Sequence, residues 1–121
     1  MEPEQCAISR ERVQKMIMTL TATFPPEEKA DVIRVLDSII GPTMAQPGCL
    51  FCRLYSNVNN DDDLFLLEKW DSRETLEKHI RSDDFRRILA VMEMANEKPE
   101  MSFDTISKKE GLELVEIIRG N

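Results

Sequence analysis

Between Met16 and Ile40 the apolar residues change their period, and that change limits the folds open to this chain. Met16, Met18, Leu20, Ala22 and Phe24 alternate with Ile17, Thr19, Thr21 and Thr23. A period of two, rich in β-branched residues, predicts a strand from about Arg12 to Phe24. Pro25-Pro26 stop it, and proline suits the first turn of a helix. Glu27 and Glu28 then sit at the positive end of the helix dipole. Val32, Ile33, Leu36, Ile39 and Ile40 recur at helical spacing, so a helix is predicted from Pro26 to Ile40, interrupted by Gly41-Pro42.

The rest of the chain repeats the alternation of types. Cys49 to Asn57 reads as a strand, with Leu50, Cys52 and Leu54 on one face and Phe51, Arg53 and Tyr55 on the other. A polar turn to Asp63 joins it to a third strand, Leu64 to Trp70, as a hairpin. Asp71 or Ser72 can cap the next helix, Asp71 with Glu74 as a capping box. Leu76, His79 and Ile80 share its apolar face. Ser82 opens a further helix with Phe85, Ile88, Leu89 and Met92 inward. Met101 to Ile106 and Leu112 to Ile118 read as two last strands. The order is β-α-β-β-α-β plus one C-terminal strand. This is an α+β, ferredoxin-like split βαβ arrangement, with helices on one face of an antiparallel sheet. Residues 1–11 are expected to be an N-terminal extension and 12–121 a single domain. At 121 residues the chain has no second layer for the other sheet face, so a homodimer is expected to cover it.

Charge and cysteine usage narrow the function classes. A net charge of -7 argues against nucleic acid and against an anionic membrane surface. No apolar run approaches the roughly 20 residues that span a bilayer. Met1-Glu-Pro-Glu-Gln lacks a basic n-region, and three cysteines fit a reducing cytoplasm better than a disulfide framework.

Pro47-Gly48-Cys49-Leu50, Leu66-Leu67-Glu68-Lys69-Trp70, Leu76 to His79 and Ser82 to Phe85 occur in an order and spacing that resemble the antibiotic-biosynthesis monooxygenase (ABM) family. The resemblance covers about residues 12 to 107. It implies a dimeric α+β barrel in which two sheets pack face to face. The family's activities include cofactor-free oxygenation of quinols and polyketide aromatics, heme degradation and isomerisation of a signalling sugar. Its heme-degrading members use an asparagine on the first strand, a tryptophan on the helix after the third strand and a ligand histidine on the following helix. Matched through Ser82-Asp83-Asp84-Phe85, these fall on Met16, His79 and Leu89, so heme oxygenation is disfavoured. Leu66 stands where one cofactor-free oxygenase has asparagine. An isomerase of a phosphorylated carbonyl compound finds no phosphate-binding glycine loop and no basic cluster in the sequence.

Three residues carry the chemical reading. Glu68 and Trp70 are two apart on a strand and share a face. Either they floor a cavity, Trp70 stacking a planar ligand and Glu68 accepting from its hydroxyl, or Trp70 is core and Glu68 pairs with Arg53 or a helix residue. His79, the only histidine, is either an acid-base group facing that cavity or a half-buried ring bonded to backbone. With no clustered ligands around it, no metal is expected. Cys49-Leu-Phe-Cys52 matches C-x-x-C but lies on a strand, where residues three apart point to opposite faces, so neither redox work nor a disulfide is expected. Asp61-Asp62-Asp63 reads as a solvated turn, and the seven methionines as adaptable packing. The expectation is a small-molecule monooxygenase oxidising a quinol-like or polyphenolic substrate without a cofactor. His79 and Glu68 would be catalytic and Trp70 substrate-binding, the three bordering one pocket between sheet and helices. The alternative is a non-catalytic ligand-binding or accessory homodimer.

Overall fold

The computed structural model describes residues 13–120, so the expected extension over residues 1–11 lies outside them. The elements are β1 (Met16–Thr23), α1 (Pro26–Met44), β2 (Cys49–Asn57), β3 (Asn60–Trp70), α2 (Arg73–Ile80), α3 (Asp83–Met92), β4 (Glu100–Thr105) and α4 (Glu113–Arg119). The four strands form one antiparallel sheet in the order β2-β3-β1-β4. This is the expected α+β, ferredoxin-like arrangement. The even-numbered side chains of β1, and of β3 from Leu64 onward, are buried beneath the helices, where Met18, Leu20, Leu66, Val32, Leu36, Phe85 and Ile88 make the core. On the other face Ile17, Phe51, Phe65 and Leu67 are only half-buried, because no helix among the described residues covers them.

Four local departures follow from pairing rather than pattern. The C-terminal segment is a helix, not the expected extra strand. Its alternation lasts only from Leu112 to Val115, whereas Leu114, Val115, Ile117 and Ile118 fall on one helical side. The Gly111 N–H donates to Glu113 Oε2 at 3.0 Å, and Gly120 closes the helix at φ 83°. The first helix continues through Pro42 to Met44, since Ala45 N–H still reaches the Gly41 carbonyl at 3.1 Å. The third strand begins four residues early, because Thr23 and Asn57 both donate to the Asp63 carboxylate and so satisfy a polar strand end. On α3 the inward stripe is Phe85, Ile88 and Val91, and Leu89 faces outward at 45% exposure.

Candidate functional site

The Glu68, Trp70 and His79 side chains meet beneath the helices, and all three are wholly buried. The first two descend from β3 on the same face. The chain then turns at once: the Ser72 hydroxyl, not the Asp71 carboxylate, caps α2 by accepting from Thr75 N–H at 3.2 Å. Two turns later α2 delivers His79 back over the strand it has just left. Trp70 Nε1–H donates to Glu68 Oε1 at 3.0 Å. His79 Nε2 lies 3.2 Å from both carboxylate oxygens. The indole and imidazole rings stack with centroids 4.8 Å apart, and the Phe85 ring meets the imidazole edge-on at 5.5 Å.

The remaining motif residues hold this arrangement in place. Gly48 has φ 91°, and a Cβ there would lie 2.4 Å from Thr75 Cβ. Only glycine therefore lets the first turn of α2 close against the start of β2. Ser82 donates its hydroxyl to the His79 carbonyl at 2.6 Å and accepts from Phe85 N–H at 3.2 Å, which ends α2 and starts α3 at one residue.

Indole Nε1–H is only a donor, so the carboxylate accepts from it. The same carboxylate next to His79 assigns the imidazole proton to Nε2, by network rather than by observation of hydrogen. That leaves the lone pair on Nδ1, which has no partner within the chain's described residues. A buried polar atom without a partner is uncommon enough to call for a role. Thr43 Oγ1 is the other such side-chain atom among the described residues.

The two cysteines correct the strand argument. A bulge between Cys49 and Phe51 inserts Leu50, so Cys49 pairs with Trp70 and Cys52 with Glu68. Both thiols thus lie on the helix-side face, not on opposite faces, and Leu50 is left 44% exposed. Both are free thiols. Cys52 points its thiol at Glu68 Oε2 across 3.9 Å. Burial, then the Glu68 charge, pushes Cys49 up to about 11 and Cys52 higher still. Such thiols stay protonated and are not nucleophiles at neutral pH. Sequence reasoning missed both as neighbours of the carboxylate, since nothing in Cys49-Leu50-Phe51 marks the bulge. Among the described residues, no three His, Cys, Asp or Glu side chains form a metal-holding group.

The expected pocket is closed by the three side chains that were to border it. Open space lies one side chain away. A cleft between α2 and β4 has two compartments of about 320 and 200 Å³, both lined by Met16, Arg73 and Thr105. Leu76, Ile80 and Phe103 line the smaller compartment. Met16 faces Trp70 across the β1–β3 pairing, and Met16, Trp70 and Leu76 pack as one cluster. Met16 and Leu76 are thus the wall between the cleft and the buried trio. Arg53 stacks on Phe51 on the opposite sheet face and does not reach Glu68.

Comparison with known proteins gives the family and the fold. The family model for antibiotic biosynthesis monooxygenase (ABM) matches residues 16–91. A Halobacterium salinarum protein named "Putative heme-binding protein VNG_2021C" is 37% identical over 60 residues, which are 50% of this chain and 12% of that protein. The chain thus spans a small part of that relative's length. Rv0793 from Mycobacterium tuberculosis has the same fold, with TM-score 0.72 and 21% identity over 80% of this chain and 99% of its own. A crystal structure of an antibiotic biosynthesis monooxygenase gives TM-score 0.69 and 16% identity, covering 77% of this chain and 99% of that one. Among the described residues no helix is long and apolar enough to cross a membrane.

Proposed function

The chain belongs to the antibiotic biosynthesis monooxygenase family, and we propose that it is a homodimeric, cytoplasmic enzyme that oxidises a quinol-like or polyphenolic substrate with molecular oxygen. The observation that carries the reading is the buried Glu68–His79 pair with an unpartnered Nδ1. A carboxylate that fixes one imidazole nitrogen as a donor leaves the other as a base, which is the logic of carboxylate–histidine pairs in general base catalysis. The substrate enters the α2–β4 cleft, and displacement of Met16 and Leu76 brings its ring onto Trp70. Methionine is suited to such a gate, being unbranched and flexible. His79 Nδ1 then takes the phenolic proton. The phenolate supplies the electrons that reduce oxygen, so no cofactor is called for, and the closed site orients the substrate and excludes water. On the open sheet face Ile17, Phe51, Phe65 and Leu67 form the surface that a second copy would cover.

The heme named for the Halobacterium relative does not fit the residues present. Leu89 faces solvent on α3, and His79 is already engaged by Glu68 inside the core. The second reading is a non-catalytic dimer that binds a small ligand in the same cleft; the complete burial of the trio favours it. Oxygen-electrode measurements with a panel of hydroquinones, catechols and polycyclic phenols separate the two. Uptake that His79→Ala abolishes while the dimer persists supports the enzyme. Binding without uptake, or neither, hands the cleft to the accessory reading.

A further inference from the structure

We propose that the Thr105 hydroxyl is the latch of the Met16 gate, and that it selects for aromatic rings carrying an oxygen acceptor. The inference rests on the function proposed above for what passes the gate, and it adds how the gate is held and what releases it. Thr105 Oγ1–H donates to Met16 Sδ at 3.1 Å. The two residues face each other across the β1–β4 pairing. Met16 is buried and packs on Trp70 and Leu76. Its side chain is thus tied on one side to the wall of the cleft and lies on the other against the indole. Met16, Arg73 and Thr105 line both compartments. Of these, Arg73 is held along α2 by Glu77, its Nε–H donating to Oε2 at 2.8 Å. That leaves Met16 and Thr105 as the pair that can move. Among the described residues β4 is an edge strand that pairs only with β1, and it ends at Thr105, so the latch stands where the sheet is least braced.

A thioether sulfur is a weak acceptor, and a phenol, phenolate or quinone oxygen is a stronger one. A ring that enters the cleft with such an oxygen takes the Thr105 hydrogen for itself. Thr105 then holds the ligand, and Met16 keeps no polar tie to the wall. An unbranched side chain released in this way changes rotamer readily and uncovers Trp70. A hydrocarbon ring of the same size brings no acceptor and leaves the latch closed. The ligand opens the gate by exchanging one hydrogen bond for a better one, which is differential binding to the open state. Phe103 and Ile80 are partly exposed and give the ring an apolar seat in the smaller compartment while the exchange occurs. Thr105 lines that compartment too, so one ring can rest on Phe103 and reach the hydroxyl.

Trp70 is the chain's one tryptophan and is wholly buried behind Met16, so its fluorescence reads the gate without any turnover. Acrylamide quenching is measured on full-length protein, with urea unfolding showing that each variant is folded. Thr105→Val keeps the shape of the side chain and removes the hydroxyl. Its quenching constant should rise about twofold or more, the scale on which one weak hydrogen bond biases an opening equilibrium. Thr105→Ser keeps a hydroxyl and should stay near the parent. In a Met16→Leu background, with no sulfur to accept, Thr105→Val should change nothing further, which a merely structural threonine would not show. At equal millimolar concentrations phenol should raise the quenching of the parent more than toluene does, and in Thr105→Val the two should act alike. Unchanged quenching in Thr105→Val overturns the latch, as does an equal rise from Thr105→Val in the Met16→Leu background. Phenol acting no more strongly than toluene on the parent overturns the selection. An absence of oxygen uptake with every quinol refutes the enzyme reading alone, while the quenching results decide the latch.

Discussion

Replacing Glu68 with glutamine keeps the shape of the side chain and removes the charge on which the buried trio depends. The carboxylate accepts from two donors, Trp70 Nε1–H and His79 Nε2–H. Glutamine has one carbonyl oxygen and an NH2 group, so it can accept from the indole only by turning its NH2 towards the imidazole. His79 must then move its proton to Nδ1, where the described residues offer no acceptor. Losing a charge-assisted bond costs about 1.5–3 kcal/mol, and the new orphaned donor adds about 1 kcal/mol or more. Relief of the buried charge offsets part of this. The net expectation is destabilisation by about 2 kcal/mol, or a fall of roughly 8 °C in Tm for a chain of this size. Urea unfolding and calorimetry measure it. Trp70→Phe removes one donor and should make Glu68→Gln milder, with a coupling of about 1 kcal/mol in the double-mutant cycle. Turnover is hit harder than stability. With the proton on Nδ1 the base is gone, and a wrong tautomer at a carboxylate–histidine pair costs orders of magnitude in rate. A Glu68→Gln protein that is as stable as the parent, or more so, would refute the hydrogen-bonding account. One that loses stability but keeps full turnover would refute the role given to Nδ1.

Three further outcomes follow from the supporting residues. Gly48→Ala places a Cβ against Thr75 at a positive φ and should cost more than about 1 kcal/mol in urea unfolding; a smaller loss would mean that Thr75 gives way. Ser82→Ala removes the cap of α3 together with the bond to the His79 carbonyl, and should cost about 1–2 kcal/mol, more than capping alone at Ser72. With its pKa pushed up to about 11 by burial and by Glu68, Cys49 should react with iodoacetamide at pH 8 about 100-fold more slowly than an ordinary thiol. Because the folded state holds that proton more tightly, its contribution to stability is complete below pH 9 and declines as pH rises through about 11. Labelling of native Cys49 at the free-thiol rate would contradict this.

What the sequence made legible depended on the length of each pattern. Nine residues of strict alternation from Met16 to Phe24 identify a strand, and the same alternation at Leu66, Glu68 and Trp70 places two chemical residues on one face. The spacing from Trp70 to His79 suffices to bring the imidazole back, because only two residues separate the end of β3 from the start of α2. Four residues of alternation at Leu112–Val115 are too few to tell a strand from a helix. The bulge at Leu50 is set by how β2 registers on β3, so no residue of β2 reveals it alone. The closure of the pocket depends on the volumes of Met16, Leu76 and Phe85 meeting in space, which no single segment records.

Glu68 and His79 are two of the three buried polar residues in the described structure, and they are bonded to each other. A core needs no such pair: apolar residues of the same volume usually stabilise as well or better. The surrounding residues serve the orientation of the pair rather than its burial. Gly48 admits Thr75 and so sets the depth of α2. Ser82 fixes the His79 carbonyl, Phe85 meets the ring edge, and Trp70 both stacks on the ring and donates to its carboxylate partner. Cys49, Glu68, Trp70, Ser82 and Phe85 therefore each contact His79 or a residue that does. An assembly that fixes the ring this completely leaves Nδ1 as its one unassigned atom among the described residues, and in the proposed function that atom takes the proton of a substrate from the adjoining cleft.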